Sequence, residues 1–172
     1  MPAGVPELED LDGLSPAEYV VANALIKGKH VAEQEPEALI LGADTTVFLD
    51  GEILNKPATM EAAVGMIRRL SGRGHTVFTG FVLIWKRGGV EVTRAVSSEV
   101  FFKPLSDGAI QEYFSIVNPL DKAGAYGIQE GRERIIDHFE GSFSNIMGLP
   151  MEAVEEELAQ LSFLDLFRKM AV

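Results

Sequence analysis

Apolar positions along the chain follow two spacings, and the switches between them divide it into short elements. Ser15-Pro16-Ala17-Glu18 reads as a helix start, with Ser15 as N-cap, Pro16 in the first helical position and Glu18 closing a capping box. That helix is expected to run to about His30. Ala38-Leu39-Ile40-Leu41 is a short apolar run of buried-strand type. Gly42-Ala43-Asp44 reads as a glycine-flanked break, after which the chain resumes as Thr45-Thr46-Val47-Phe48-Leu49. Asp50-Gly51 is a two-residue hairpin signal, and Glu52-Ile53-Leu54 is the return strand.

Thr59 caps a second helix with Ala63, Met66, Ile67 and Leu70 on one face, ended by Ser71-Gly72-Arg73-Gly74. Thr76 to Trp85 is a long strand, Lys86-Arg87-Gly88-Gly89 turns the chain, and Val90 to Phe102 runs back. A third helix follows Ser106, placing Ile110, Tyr113, Phe114 and Val117 at helical spacing. Residues 118–131 read as a glycine-rich polar loop, Ile135 to Phe139 as a strand, and Met151 to Leu161 as an amphipathic helix. Phe163 to Met170 is expected to add a turn or two. Long hairpins imply antiparallel pairing and interspersed helices imply cover on the sheet faces, so the class is α/β with a mixed sheet. A purely parallel, doubly wound sheet is disfavoured. With no repeat or linker, 172 residues form a single domain.

Composition sharpens this. At 47% hydrophobic residues the chain is too apolar for disorder. Without cysteine, disulfides, thiolate metal sites and cysteine nucleophiles are excluded, and a reducing cytoplasm is compatible. The net charge of −11 argues against duplex nucleic acid and anionic membrane as partners, since both need a basic face. It does not exclude an anionic small substrate held by a few local cations. Met1 to Asp12 is acidic and lacks the apolar run of a secretory leader, and no stretch approaches transmembrane length.

Three segments can carry chemistry. Asp44, at the end of an apolar strand, can hold Mg²⁺ or orient a water for attack on phosphorus; it can equally satisfy turn amides. Lys56, stiffened by Pro57, projects an ammonium suited to a phosphate, with a solvated surface lysine as the alternative. Asp121-Lys122-Ala123-Gly124-Ala125-Tyr126-Gly127-Ile128-Gln129 gathers acid, base, glycines, an aromatic and an amide in nine residues. Tyr126 there reads as a core residue with only its hydroxyl wet. His30, His75 and His138 lack metal-ligand spacing and read as structural, and the acidic run Glu152 to Glu157 reads as a solvated helix face.

Taken together, Gly42-Ala43-Asp44-Thr45, Leu49 to Leu54, Lys56-Pro57, Leu70 to Arg73, His75, Thr79-Gly80, Asp121 to Gln129 and Gly148-Leu149-Pro150 resemble the Maf (septum formation) family. The resemblance covers residues 15 to about 160, and the Asp121–Gln129 string is its most specific part. It implies a cytosolic enzyme related in fold to inosine triphosphate pyrophosphatases, with two lobes flanking a cleft around an elongated mixed sheet. The implied reaction cleaves a nucleoside triphosphate between its α- and β-phosphates, with Mg²⁺ or Mn²⁺ as cofactor. The Asp-Lys-Ala-Gly string is similar to the branch acting on dTTP, UTP and modified pyrimidine triphosphates.

The resemblance also implies roles. Asp44 matches the carboxylate that activates water or holds the metal. Lys27 and Lys56 match phosphate-contacting lysines, with Lys122 beside them in the third segment, and Gln129 matches the active-site glutamine. Glu7 falls where the family carries an acidic metal-site residue, with Glu9 competing for that register. A homodimer is compatible with these features. The family opens with a strand and a Ser-x-Ser-Pro-Arg-Arg loop, to which nothing here corresponds. The expectation is therefore a Maf-like domain over residues 1–172 that lacks this unit and is weakened in activity. A catalytically weak nucleotide-binding or regulatory protein and a 7-methyl-GTP pyrophosphatase are the competing readings.

Overall fold

The computed structural model describes residues 5–161. The expected turn at Phe163–Met170 and the first four residues of the acidic opening segment lie outside them. The first helix, α1, spans Pro16–Gln34 and starts on the expected capping box: Ser15 Oγ accepts from the Glu18 amide, and Glu18 reaches back to the Ser15 amide. It runs about one turn beyond His30.

Strand β1, Ile40–Leu49, passes without interruption through Gly42-Ala43-Asp44. The expected break is absent because Gly42 serves packing rather than turning. A Cβ there would lie 3.1 Å from the Ala24 carbonyl oxygen and 3.3 Å from the Gly28 Cα, on α1. Asp50 and Gly51 both adopt positive φ, 54° and 89°, as a two-residue hairpin requires, and return the chain as β2, Glu52–Leu54. Helix α2, Met60–Leu70, is capped by Thr59 and buries Ala63, Ile67 and Leu70. Strands β3, Gly74–Trp85, and β4, Val90–Phe102, form the long central hairpin. Helix α3, Asp107–Phe114, is capped by Ser106.

The loop at 118–131 contains two short 3₁₀ turns, Pro119–Asp121 and Ala123–Ala125. A one-turn helix α4, Arg132–Ile135, leads into β5, Ile136–Glu140. Helices α5, Phe143–Ile146, and α6, Met151–Gln160, follow. Glu152 accepts from Ser142 and Ser144, and Arg94 pairs with Glu156 and Glu157, so the acidic run is tied to the fold rather than merely solvated.

The five strands order as β2-β1-β3-β4-β5 with every described pairing antiparallel, so a parallel doubly wound sheet is indeed absent among the described residues. The register puts Gly42, Asp44, Thr46, Phe78, Gly80, Val82 and Ile84 on one face and Ala43, Thr45, Val47, Val77, Thr79 and Phe81 on the other. Helix α1 covers the first face, where Ala24 and Ala32 pack on Val82 and Ile84.

The second face is covered in two halves. At one end Val47, Val77, Val100 and Phe102 pack against α2, α3 and the Tyr126–Ile128 loop. At the other end Phe81 and Leu83 pack against Ala153 and Val154 of α6. Strand β2 pairs with β1 only over Val47–Leu49, so among the described residues no strand covers the outer edge of Ile40–Thr46. No helix among the described residues is long and apolar enough to cross a membrane.

Candidate active site

Helix α1 lies unusually close to the sheet. A Cβ on Gly80 would sit 2.5 Å from the backbone carbon of Val20 and the nitrogen of Val21, so only glycine permits this approach. The close packing brings Lys27 of α1 over Asp44 of β1. Lys27 Nζ donates to Asp44 Oδ1 at 2.5 Å and lies 3.2 Å from Glu7 Oε2. The Lys27 and Asp44 side chains are 11% and 12% exposed, so this ion pair is largely shielded from water.

One ammonium thus serves two carboxylates. Burial works against the Lys27 charge, but hydrogen bonds and attraction from Asp44 and Glu7 outweigh it and hold its pKa above the ordinary lysine value. Burial is also the largest influence on Asp44 and lifts its pKa above the usual aspartate range, helped by repulsion from Glu7 and opposed by Lys27. The two directions share one cause. Lys27 is over-compensated by two acids, whereas Asp44 has half a cation to itself in a dry place.

Around this cluster a cleft of about 350 Å³ wraps over the outer edge of β1. Lys27 and Asp44 line it together with Lys56, Asp121, Lys122 and Gln129. A second hollow sharing Lys27, Asp44 and Lys56 brings in Glu7 and Glu9. All the residues singled out from the sequence therefore meet in one region, delivered by five separate segments. Lys56 is exposed and makes no ion pair among the described residues, while Lys122 Nζ lies 3.1 Å from its neighbour Asp121. Glu7, not Glu9, reaches Lys27.

The floor of the cleft, on the opposite face from Asp44, is Val47, Val77, Tyr126 and Ile146. Tyr126 differs from its expectation: its hydroxyl is not wet but lies 2.7 Å from His75 Nε2, both buried. His75 is structural, and burial pushes its pKa down to about 4, leaving it neutral. The neighbouring Gly127 is held by Tyr113, whose hydroxyl accepts from the Gly127 amide at 3.0 Å and donates to its carbonyl at 3.3 Å.

Sequence reasoning missed a polar seam beside the cleft. The Thr45 and Thr79 hydroxyls are 2.8 Å apart; Thr79 also donates to the Asn145 carbonyl, and Asn145 Nδ2 donates to the Val77 carbonyl and Ser98 Oγ. Asn23 and Asn55 were missed too. Their partners lie 15 and 46 residues away, so no local pattern could show them.

Among the described residues no three His, Cys, Asp or Glu side chains converge as a preformed metal cage. Two carboxylates, Glu7 and Asp44, do converge, and a cation, the Lys27 ammonium, already stands between them. A hard divalent ion commonly takes one or two protein carboxylates and completes its shell with substrate phosphates and water. The donor set fits an ion that arrives with a polyphosphate.

The sequence pattern described as Maf-like protein matches residues 1–161. The chain is 42% identical over 161 residues to the dTTP/UTP pyrophosphatase of Symbiobacterium thermophilum, spanning 92% of this chain and 82% of that relative. It is 40% identical to the dTTP/UTP pyrophosphatase of Geobacter metallireducens, spanning 93% and 83%. It is 43% identical to that of Moorella thermoacetica, spanning 85% and 75%.

Proposed function

The chain belongs to the Maf-like protein family, and on that premise we propose that it is a nucleoside triphosphate pyrophosphatase acting on dTTP and UTP. The observation that carries this reading is the meeting of Asp44, Lys27, Lys56, Lys122 and Gln129 along one cleft in a chain about 40% identical to proteins of that name.

In this reading Asp44 accepts a proton from the attacking water. Burial raises its pKa, which is the direction that strengthens a carboxylate as a base. The water oxygen bonds to phosphorus, the bridging P–O bond between the α- and β-phosphates breaks, and pyrophosphate leaves beside the nucleoside monophosphate. Lys27 keeps Asp44 oriented, and Lys56 and Lys122 face the negative charge that builds on the phosphate oxygens. Glu7 and Asp44 would hold a divalent cation such as Mg²⁺ or Mn²⁺, which when bound supplies further neutralisation of that charge. The apolar floor at Val47, Val77 and Ile146 offers a dry surface to a base, and Gln129 an amide to its polar edge. A cytoplasmic setting, where these nucleotides occur, belongs to the same reading.

The test is pyrophosphate release from a panel of dTTP, UTP, CTP, GTP and 7-methyl-GTP. Turnover of dTTP and UTP well ahead of the purines is expected. Equal or faster use of GTP or 7-methyl-GTP would overturn the pyrimidine preference. Tight nucleotide binding with no turnover would overturn the enzyme reading in favour of a binding protein.

A further inference from the structure

Residues 5–10 form no helix or strand, so their backbone polar groups need partners from elsewhere. Side chains supply them. The Leu8 amide donates to Asn23 Oδ1 at 2.8 Å, and the Leu8 carbonyl accepts from the Tyr19 hydroxyl at 2.8 Å and from Asn23 Nδ2 at 3.5 Å. The Glu9 carbonyl accepts from Asn55 Nδ2 at 3.2 Å, and the same amide donates to the Tyr19 hydroxyl at 3.3 Å.

Tyr19, Asn23 and Lys27 follow one another at four-residue spacing, so they form one line along α1. The segment lies against that line, with Leu8 meeting Tyr19 and Asn23 and Glu7 meeting Lys27. Asn55 closes the arrangement from the other side. Its Oδ1 accepts from Thr46 Oγ1 at 3.3 Å, and its backbone carbonyl accepts from the Gly124 amide at 3.4 Å, in the loop that carries Lys122 and Gln129.

Asn23 is 1% exposed and Tyr19 2%. Asparagine is a poor helix former, and a buried amide is unfavourable unless its hydrogen bonds are made. A buried asparagine is not what packing alone would select inside α1. We propose that Asn23 and Asn55, with the Tyr19 hydroxyl between them, are positioning residues. They fix the backbone of Leu8–Glu9 and so aim the Glu7 carboxylate at the point it shares with Asp44. The role rests on the reading of Glu7 and Asp44 as the cation-holding pair. Asn55 also links that pair to the loop on the other side of the cleft, so one side chain and its own carbonyl set the spacing of the two.

The test measures Mn²⁺ binding to the full chain in the presence of a non-hydrolysable α,β-methylene analogue of dTTP, following the Mn²⁺ electron paramagnetic resonance against a protein-free control. The proteins are wild type, Asn55→Ala, Tyr19→Phe, Glu7→Gln and the double variant Glu7→Gln with Asn55→Ala. Each is first checked by thermal melting, and Tyr19→Phe, which removes one oxygen, guards against misfolding of Asn55→Ala. Losing a group that orients a metal ligand typically costs about 10- to 100-fold in affinity. Asn55→Ala and Tyr19→Phe should therefore each weaken Mn²⁺ binding by about tenfold, and Asn55→Ala should add less than about twofold once Glu7 is already Gln. Unchanged Mn²⁺ binding in Asn55→Ala and Tyr19→Phe, alongside weakened binding in Glu7→Gln, overturns the positioning role alone. Effects that multiply in the double variant overturn it as well, since Asn55 then acts by another route. Unchanged binding in Glu7→Gln overturns the cation-pair reading and the positioning role with it.

Discussion

Replacing Asp44 by Asn removes a charge and a proton acceptor while barely changing volume, so catalysis and folding should respond very differently. Breaking a fully buried ion pair by deleting one partner costs about 3–5 kcal/mol. Two features reduce that figure here. Lys27 retains Glu7 at 3.2 Å, and the neutral amide escapes the burial that already lifts the Asp44 pKa. The remainder is about 1 kcal/mol, a fall in Tm of roughly 2–4 °C for a chain of this length. Catalysis has no such compensation, because an amide cannot take the water's proton. A positioned general base contributes roughly 10²–10⁴ in rate, and kcat for dTTP should drop by that factor. The assay is pyrophosphate release at saturating Mg²⁺, paired with a melting curve for each protein. The wild-type pH profile of kcat/KM should show an acid limb that vanishes in the variant. Turnover within about tenfold of wild type would refute the assignment of the base to Asp44. A loss of Tm several times larger than expected would refute the account of the shared ammonium.

Three further outcomes follow from other parts of the fold. His75 has a folded pKa of about 4 against 6.5 unfolded, so the unfolded chain binds the extra proton first; stability is full above pH 6.5 and falls as pH drops toward 4. The loss should approach about 3 kcal/mol in urea titrations run across that window, and His75→Gln should flatten the slope. Gly80→Ala should lower stability by about 3 kcal/mol or more, with activity falling alongside, because its Cβ meets the α1 backbone rather than a side chain that can yield. Lys56→Ala should raise the KM for dTTP by about tenfold with Tm nearly unchanged, since surface substitutions usually shift stability by less than about 0.5 kcal/mol; an unchanged KM would remove Lys56 from the phosphate site.

Local chemistry was legible where the interaction is local. The Ser15 capping box, the Asp50-Gly51 turn and the Thr59 cap each involve groups within three residues, and each formed as read. Gly42 misled because a glycine is locally ambiguous: the residue that can break a strand is also the one that lets a helix approach it. Asp44, Lys56 and the Asp121–Gln129 string could be picked out, but what sets Lys27 over Asp44 in the cleft they line is the approach of α1 to β1. That approach depends on Gly80, whose neighbours lie some sixty positions earlier. That Glu7 rather than Glu9 faces Lys27 could not be read locally either, since the bonds that hold Leu8 and Glu9 come from Asn23 and Asn55, 15 and 46 residues away.

The two halves on the second face share one sheet rather than a linker. Strands β3 and β4, of 12 and 13 residues, each extend roughly 40 Å and run beneath both halves without a break. They act as a beam, and to open or close the cleft by swinging one half against the other would require flexing that beam against its ladder of hydrogen bonds. That continuous ladder resists domain closure of the kind seen where two bodies meet at a flexible joint. Residues 5–10 and the loop from Lys122 to Gln129 are fastened by side-chain bonds rather than by that ladder, while the spacing of Asp44 from Val47 of the apolar floor stays set by β1, which carries both.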